Sequence, residues 1–384
     1  MSGVPGPGDV SGHGVPAGPV TPAHRRIDVL LRLVVGKKAS DLHLAVGRTP
    51  MIRIDGDLEK LKWRVLTDEE FESFIVPITP QRIYKEWKET GDSDFAYSLG
   101  TVARFRVNLF RQEHGSAAVL RLIPPRVLTI EDLGLPSIVS GIARVPRGLV
   151  LITGPTGSGK STTLAALIDW INKNHARHII TVEDPVEFIH TPNKSLISHR
   201  ELGFDTPDFA GALKAALRED PDVVLVGELR DLETMSLALQ AAETGLLVFG
   251  TLHTNSAAKA IDRLIDSFPA GEQEQARTVL AEALRGVVAQ VLLKRKGGGR
   301  TPAFEVLRWS PALANSIREG KTAMITTLIQ TGRNAGMVAL DQSLADLVVE
   351  DVVAFEESYE KALDKDGFKP LVEKRRGSAA PGPR

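Results

Sequence analysis

The sequence predicts a two-part protein, an α+β region followed by an α/β region built on a parallel sheet. Three observations carry this reading. Between Ile27 and Leu122 the apolar pattern switches within a few residues from helical spacing to strict alternation. After Gly148 it becomes short runs that are apolar on both faces and separated by helical stretches, as a parallel sheet covered by helices requires. Between the two, Pro124-Pro125 interrupts regular structure.

The chain has 384 residues, enough for two domains. Hydrophobic residues make up 42% and charged residues 25%, the balance of an ordinary globular protein. A formal net charge of −1 offers no bulk basic surface, so nucleic acid is not an expected partner. The chain has no cysteine, which excludes disulfides, zinc ribbons, iron–sulfur clusters and thiol catalysis. No apolar run approaches the roughly 18 residues of a membrane span, so no transmembrane segment is expected. The opening Met1-Ser-Gly-Val-Pro-Gly-Pro-Gly lacks the basic and apolar parts of a secretory signal, and a cytoplasmic location is the expectation.

Residues 1–24 are rich in Gly, Pro and Val, too poor in burial to offset ordering entropy, and are expected to be a disordered tail. A first domain is expected over 25–122. Within it Ile27–Val35 reads as a helix with Leu30, Leu33 and Val34 on one face. Met51-Ile-Arg-Ile reads as a strand entering a tight turn at Asp55-Gly56. Arg104–Phe110 alternates, with Phe105, Val107 and Leu109 on one face and Arg104, Arg106 and Asn108 on the other. A linker is expected over 123–140, with Leu128–Pro136 as a connecting segment. The second domain, 141–355, holds four short runs: Leu149–Thr153, His178–Val182, Asp222–Val226 and Leu246–Thr251. All four are too short and too β-branched for helix. Phe209, Ala212, Leu213, Ala216 and Leu217 mark an amphipathic helix between them. Residues 356–384 form a C-terminal extension, and its basic end, Lys369–Arg384, reads as a solvated tail. No short internal repeat occurs.

The first apolar run leads into Gly154-Pro155-Thr156-Gly157-Ser158-Gly159-Lys160-Ser161-Thr162, which fits the phosphate-loop pattern. Strand, loop and helix come in the order that chemistry needs. Glycines let successive backbone N–H groups converge on phosphate oxygens, and the helix N-terminus adds partial positive charge. Lys160 supplies a cation for the terminal phosphates and the Ser161 hydroxyl a ligand for Mg²⁺. A glycine-rich turn that merely caps a helix is the plainer alternative. The second run ends in Glu183-Asp184-Pro185-Val186-Glu187, and the third is followed by Gly227-Glu228-Leu229-Arg230-Asp231. Ligands of parallel sheets sit beyond the strands' carboxyl ends, so Glu183 and Glu228 are expected in one crevice with the loop. One would hold the metal's water shell and the other orient or deprotonate the attacking water. Asp184 and Asp231 read equally well as helix caps. The fourth run ends near His253, between Thr251, Thr254 and Asn255, where a γ-phosphate sensor and a structural histidine are both open readings. His43 is read as structural. No histidine-rich ligand spacing occurs, so nucleotide-held Mg²⁺ is the metal expected.

Four segments together resemble a known family. Gly154–Ser161, Thr181–Glu187, Asp220–Asp231 and Gly250–Asn255 are similar to the Walker A, Asp box, Walker B and His box of the secretion-ATPase superfamily. Within it, Ala39–Leu44, Arg104–Asn108, Ala241–Gly245 and Lys294–Arg300 resemble the PilT-like type IV pilus retraction branch. The resemblance covers about Ile27 to Val352. It implies an N-terminal PAS-like domain joined to a RecA-like P-loop ATPase domain, ATP and Mg²⁺ bound between them, and a homohexameric ring. By the same resemblance Glu183 is the general base, Glu228 the Walker B glutamate near the metal, and His253 the link to the subunit contact. Arginines of the N-terminal domain complete such sites, which maps onto Arg104, Arg106 and Arg121. An inner-membrane pilus platform protein is the partner implied, with the motor peripheral at that membrane. The chain departs from the branch at Pro311–Arg318, which stands where retraction ATPases carry Ala-Ile-Arg-Asn-Leu-Ile, and no acid but Glu228 accompanies the Walker B strand. Rival readings are an assembly ATPase or an accessory retraction paralogue, a nucleic-acid translocase on a RecA-like core, and a nucleotide-gated binding protein. Assembly ATPases usually carry a four-cysteine zinc motif, which this chain lacks.

Overall fold

The computed structural model describes residues 26–54, 56–123 and 127–378. The N-terminal tail expectation lies outside them. Two sheets organise the chain. The first runs in the order β3-β2-β1-β6-β5-β4 and is antiparallel throughout, from β1 (Asp41–Ala45), β2 (Met51–Ile54), β3 (Asp57–Lys60), β4 (Asp92–Leu99), β5 (Ala103–Gln112) and β6 (Gly115–Ile123). Helices Arg26–Gly36, Asp68–Ile75 and Gln81–Thr90 belong to the same core, which includes Trp87, Phe71, Phe105 and Leu120. Alternation along β5 is as the sequence predicts, with Ala103, Phe105, Val107 and Leu109 buried. Ile54 pairs with Asp57, and Gly56, just before Asp57, has φ 101°.

One face was assigned differently by sequence. In helix Arg26–Gly36 the buried residues are Ile27, Leu30, Leu31 and Val34, whereas Leu33 is exposed. The i, i+3, i+4, i+7 stripe beginning at Ile27 takes Leu31, and Leu33 falls outside it.

The second sheet comprises β7 (Gly148–Thr153), β8 (His178–Glu183), β9 (Leu196–Glu201), β10 (Val223–Val226), β11 (Leu247–Leu252), β12 (Leu284–Lys294) and β13 (Arg300–Arg308), in the order β13-β12-β7-β11-β10-β8-β9. Only the β12–β13 hairpin is antiparallel. The four apolar runs become β7, β8, β10 and β11, at the sheet's centre. Their successive residues serve opposite layers. Leu149 and Leu151 join a core with helices Phe209–Ala216, Leu232–Thr244, Ala257–Asp266 and Gln273–Ala283, while Val150 and Ile152 join one with helix Lys160–Asn174. A strand apolar on both faces is thereby buried twice.

Two segments pack more closely than their sequence suggests. Ile130 and Leu135, read as connecting segment, are buried with Val139 and Ile142 in the second body's core. The solvated-tail reading of the C-terminal end fails for Lys369–Ser378, which continues helix Lys365–Ser378. Phe368 and Val372, one turn apart, are buried against Leu344 and Val348 of helix Leu340–Val349.

Candidate nucleotide site

Every candidate of the second region lies at or just past a strand's carboxyl end. The loop Gly154–Gly159 leaves β7, Glu183 ends β8, Glu228 follows β10 and His253 follows β11. β8 and β10 are neighbours in register, Val182 opposite Val226, and Gly227 N–H donates to the Val182 carbonyl at 2.7 Å. Thr153 Oγ1 accepts from Thr254 N–H at 3.0 Å, tying the loop's entry to the His253 segment.

Pro155, Thr156 and Gly157 are exposed at the loop's rim, and Ser158 is buried. Gly154 has φ 151°, and a Cβ there would collide with the Gln290 carbonyl and the Ser158 hydroxyl. Gly159, at φ 90°, is the N-cap of helix Lys160–Asn174, with Ser161 and Thr162 in its first turn. Lys160 Nζ folds back onto the loop, donating to the carbonyls of Gly154 at 3.0 Å and Pro155 at 3.2 Å. Burial holds its ammonium below the usual lysine range, against the opposing pull of Glu228 and Glu187. A desolvated cation whose hydrogen bonds go only to neutral carbonyls, beside an unpartnered buried Ser158 hydroxyl, is a cradle suited to an anion.

The two glutamates differ. Burial pushes Glu183 up to about 7, with hydrogen bonding from Thr181 opposing the rise. A carboxyl poised there can accept a proton near neutral pH. Glu228 is also penalised by burial, but Arg230 Nη2 at 2.7 Å from Oε2 and His253 Nε2 at 3.3 Å from Oε1 hold it below the carboxylate norm. Glu228 is therefore a fixed anion, and its influence on Lys160 puts it beside the loop. His253 meets the loop region through Glu228.

The three arginines are occupied elsewhere. Arg104 reaches across from β5, donating from Nε to the Val186 carbonyl at 3.0 Å and from Nη2 to Glu201 Oε2 at 3.1 Å. Arg106 pairs with Asp94 at 3.5 Å, and Arg121 with Asp41 at 2.9 Å. Arg106 and Arg121 are cross-strand partners of β5 and β6. Arg104 thus touches the segment after Glu183, whereas Arg106 and Arg121 face carboxylates of their own sheet. Asp231 is a cap, accepting from Thr234 N–H at 2.8 Å at the start of helix Leu232–Thr244. No helix follows Asp184, so its capping reading is withdrawn. His43 keeps its structural reading on β1, its Nε2 buried without a partner.

Sequence reasoning missed Gln290. This buried side chain of β12 donates from Nε2 to the Ser158 carbonyl at 2.6 Å and accepts from Thr163 Oγ1 at 2.8 Å, bracing the loop against its helix. Its signal was a lone amide inside the apolar run Val287–Leu293, since buried amides are kept where every polar atom finds a partner. Glu187, four residues past Glu183, also acts on Lys160 through its charge.

A glycine-rich loop between strand and helix, with two acids of opposite character on adjoining strand tips, defines a phosphate-loop nucleotide-binding protein. The chain belongs to the family described as Type II/IV secretion system protein, which it matches over residues 19–358. It is 49% identical to the type IV pilus retraction ATPase PilT of Pseudomonas aeruginosa, over 89% of this chain and 99% of that one. It is 50% identical to a twitching motility protein of Neisseria gonorrhoeae, over 83% of this chain and 86% of that one. Among solved structures it resembles the pilus retraction motor PilT with bound ADP, with a TM-score of 0.83 and 42% identity over 91% of this chain and all of that one. The mixed α/β architecture is thus shared with that motor.

Proposed function

We propose that this chain is an ATP-hydrolysing motor that powers type IV pilus retraction and thereby twitching motility. The observation that carries it is the cradle around Lys160 beside an anionic Glu228 and a near-neutral Glu183, in a chain aligned over 99% of a retraction ATPase. In finer detail, the antiparallel region is a PAS-like domain over 25–122, the parallel region is a RecA-like ATPase domain over 141–355, and 123–140 joins them as linker. Six copies form a ring, in the cytoplasm and peripheral at the inner membrane, where a pilus platform protein receives the work. No helix among the described residues is long and apolar enough to cross a membrane.

The residues divide the chemistry. Backbone N–H groups of 154–161 and the helix start bind the β- and γ-phosphates, with Lys160 leaving the Gly154 and Pro155 carbonyls for them. Ser161 and Glu228 would hold Mg²⁺, which when bound neutralises charge on the phosphate oxygens. Glu183 orients a water and takes its proton as the water oxygen bonds to the γ-phosphorus and the bond from that phosphorus to the β-phosphate oxygen breaks, releasing ADP and phosphate. His253 joins that site to the subunit contact. Arg104, Arg106 and Arg121 are the arginines available to the γ-phosphate when domains or subunits close, and a cation arriving there contributes about 10³–10⁵ in rate. For Arg104 this requires exchanging Glu201 and the Val186 carbonyl for phosphate. A groove of about 170 Å³ lined by Ala103, Arg104, Ile123, Val127, Glu187 and Phe188 lies between the two regions, and its mixed apolar and polar walls are available to the nucleobase.

Deletion of the gene with scoring of surface pili tests the reading. Hyperpiliated, non-twitching cells are expected; bald cells would point to assembly instead. Purified protein should hydrolyse ATP and sediment as a hexamer with ATP present, and a monomer at micromolar concentration would count against the ring.

A further inference from the structure

On β8 and β9 the register pairs Thr181 with His199 and Glu183 with Glu201. Parallel register partners, and residues two apart, share a face, so these four side chains form one array. Residues 186–190 return over it as a strap. Val186 N–H donates to Glu201 Oε2 at 3.0 Å, Glu187 N–H to the Glu183 carboxylate, and His190 N–H to His199 Nε2 at 3.2 Å. The His190 and His199 rings stack at 5.7 Å and 15°.

One of these contacts sets the others. A backbone N–H can only donate, so His199 Nε2 must present its lone pair to His190. Burial, reinforced by the Arg104 charge, holds His199 down to about 4, so the ring is neutral at physiological pH and carries its proton on Nδ1. Nδ1 lies 2.8 Å from Thr181 Oγ1 and 4.0 Å from Glu183 Oε1. The Nδ1–H therefore donates to the Thr181 oxygen, and the hydroxyl's own proton is left for Glu183, whose charged form it stabilises.

We propose that Thr181 and His199 are positioning residues for Glu183: the His190 backbone fixes the His199 tautomer, the tautomer fixes the Thr181 hydroxyl, and the hydroxyl holds the carboxylate that takes the water's proton. This rests on Glu183 being the base. The other charges facing the array are Glu187 from the strap and Arg104 from β5, with Asp184 and Asp205 acting on Glu201 and with Asp169 and Lys173 of helix Lys160–Asn174 acting on His190. None of them supplies a donor hydroxyl, so the relay, together with the Glu187 N–H, keeps Glu183 from rising further.

The test is the pH dependence of kcat for ATP hydrolysis by the full-length protein. The base must be ionised, so turnover falls as pH drops through the Glu183 midpoint near 7. Thr181→Val and His199→Phe should move that acidic limb up by about one pH unit. Turnover at pH 7 then drops about fivefold and recovers by about pH 9, with ADP affinity unchanged. Thr181→Ser, which keeps a hydroxyl, and His199→Gln, which offers an amide N–H, should restore the limb toward its original place. Should the buried His199→Phe fail to fold, the nearly isosteric Thr181→Val pair carries the experiment. A limb unmoved in Thr181→Val, yet abolished in Glu183→Gln, overturns the relay and leaves Glu183 as base. Wild-type turnover in Glu183→Gln overturns both.

Discussion

The tips of β8 and β10 lie side by side, each with a glutamate just past the apolar run, and they turn the same functional group to opposite uses. Past β10, Glu228 meets Arg230 and His253 and stays charged. At the tip of β8, Glu183 is enclosed between β9 and the 186–190 strap with no cation among the described residues in contact, and its carboxyl rises to about 7. Desolvation penalises both charges; a guanidinium offsets it in one place and only hydrogen-bond donors oppose it in the other. Two like groups pushed apart in this way suit the roles proposed for them, a base at Glu183 and a fixed anion at Glu228.

That contrast is most sharply broken by mutation at Glu183. Glu183→Gln should lower kcat by about 10²–10⁴ while ADP affinity holds, as read by steady-state hydrolysis and fluorescent-nucleotide titration. Unchanged affinity matters, because it separates a proton acceptor from a phosphate ligand. Lys160→Ala should do the converse, weakening nucleotide binding by roughly 100-fold. Gln290→Leu should come next, with ADP bound about tenfold more weakly, since the Ser158 carbonyl and Thr163 hydroxyl lose their buried partner.

A smaller effect sharpens the comparison without any turnover. The folded-state carboxyl of Glu183 is raised from 4.5 to about 7, so between those values the folded chain holds a proton that the unfolded chain has released. Stability from this group is therefore full below about pH 4.5 and is lost as pH rises through 7. Glu183→Gln should melt a few degrees higher than wild type at pH 8 and no higher at pH 4.5. Glu228 has the opposite sign: its lowered value contributes stability above its ordinary range, so Glu228→Gln should melt slightly lower at pH 8.

Much of this was legible in the sequence because parallel strands announce themselves locally. The runs at β7, β8, β10 and β11 are apolar on both faces, and chain order alone puts the residues after them at one edge of the sheet. The glycine loop likewise reads from spacing and flanking elements. What remained hidden depends on partners distant in the chain. Gln290 lies 127 residues from Thr163 and 132 from Ser158, and only the β7–β12 pairing brings them together. Arg104 reads as a phosphate ligand by resemblance, and its pairing with Glu201, 97 residues away, emerges only once β5 meets β9. The opposed characters of Glu183 and Glu228 were equally out of reach, because Arg230 and the enclosing strap only acquire meaning once folded. At the C-terminus the basic composition concealed Phe368 and Val372, whose spacing of four was the better guide.

The proposed role of Glu183 as the base requires its carboxyl to titrate near neutrality. Isotope-edited infrared difference spectra of the full-length protein labelled with ¹³C-carboxyl glutamate, wild type minus Glu183→Gln, read that group directly across pH 4 to 9. A carboxylate band appearing with a midpoint near 7 is the expected result. A midpoint near the ordinary 4.5 would contradict the assignment of Glu183 as the base.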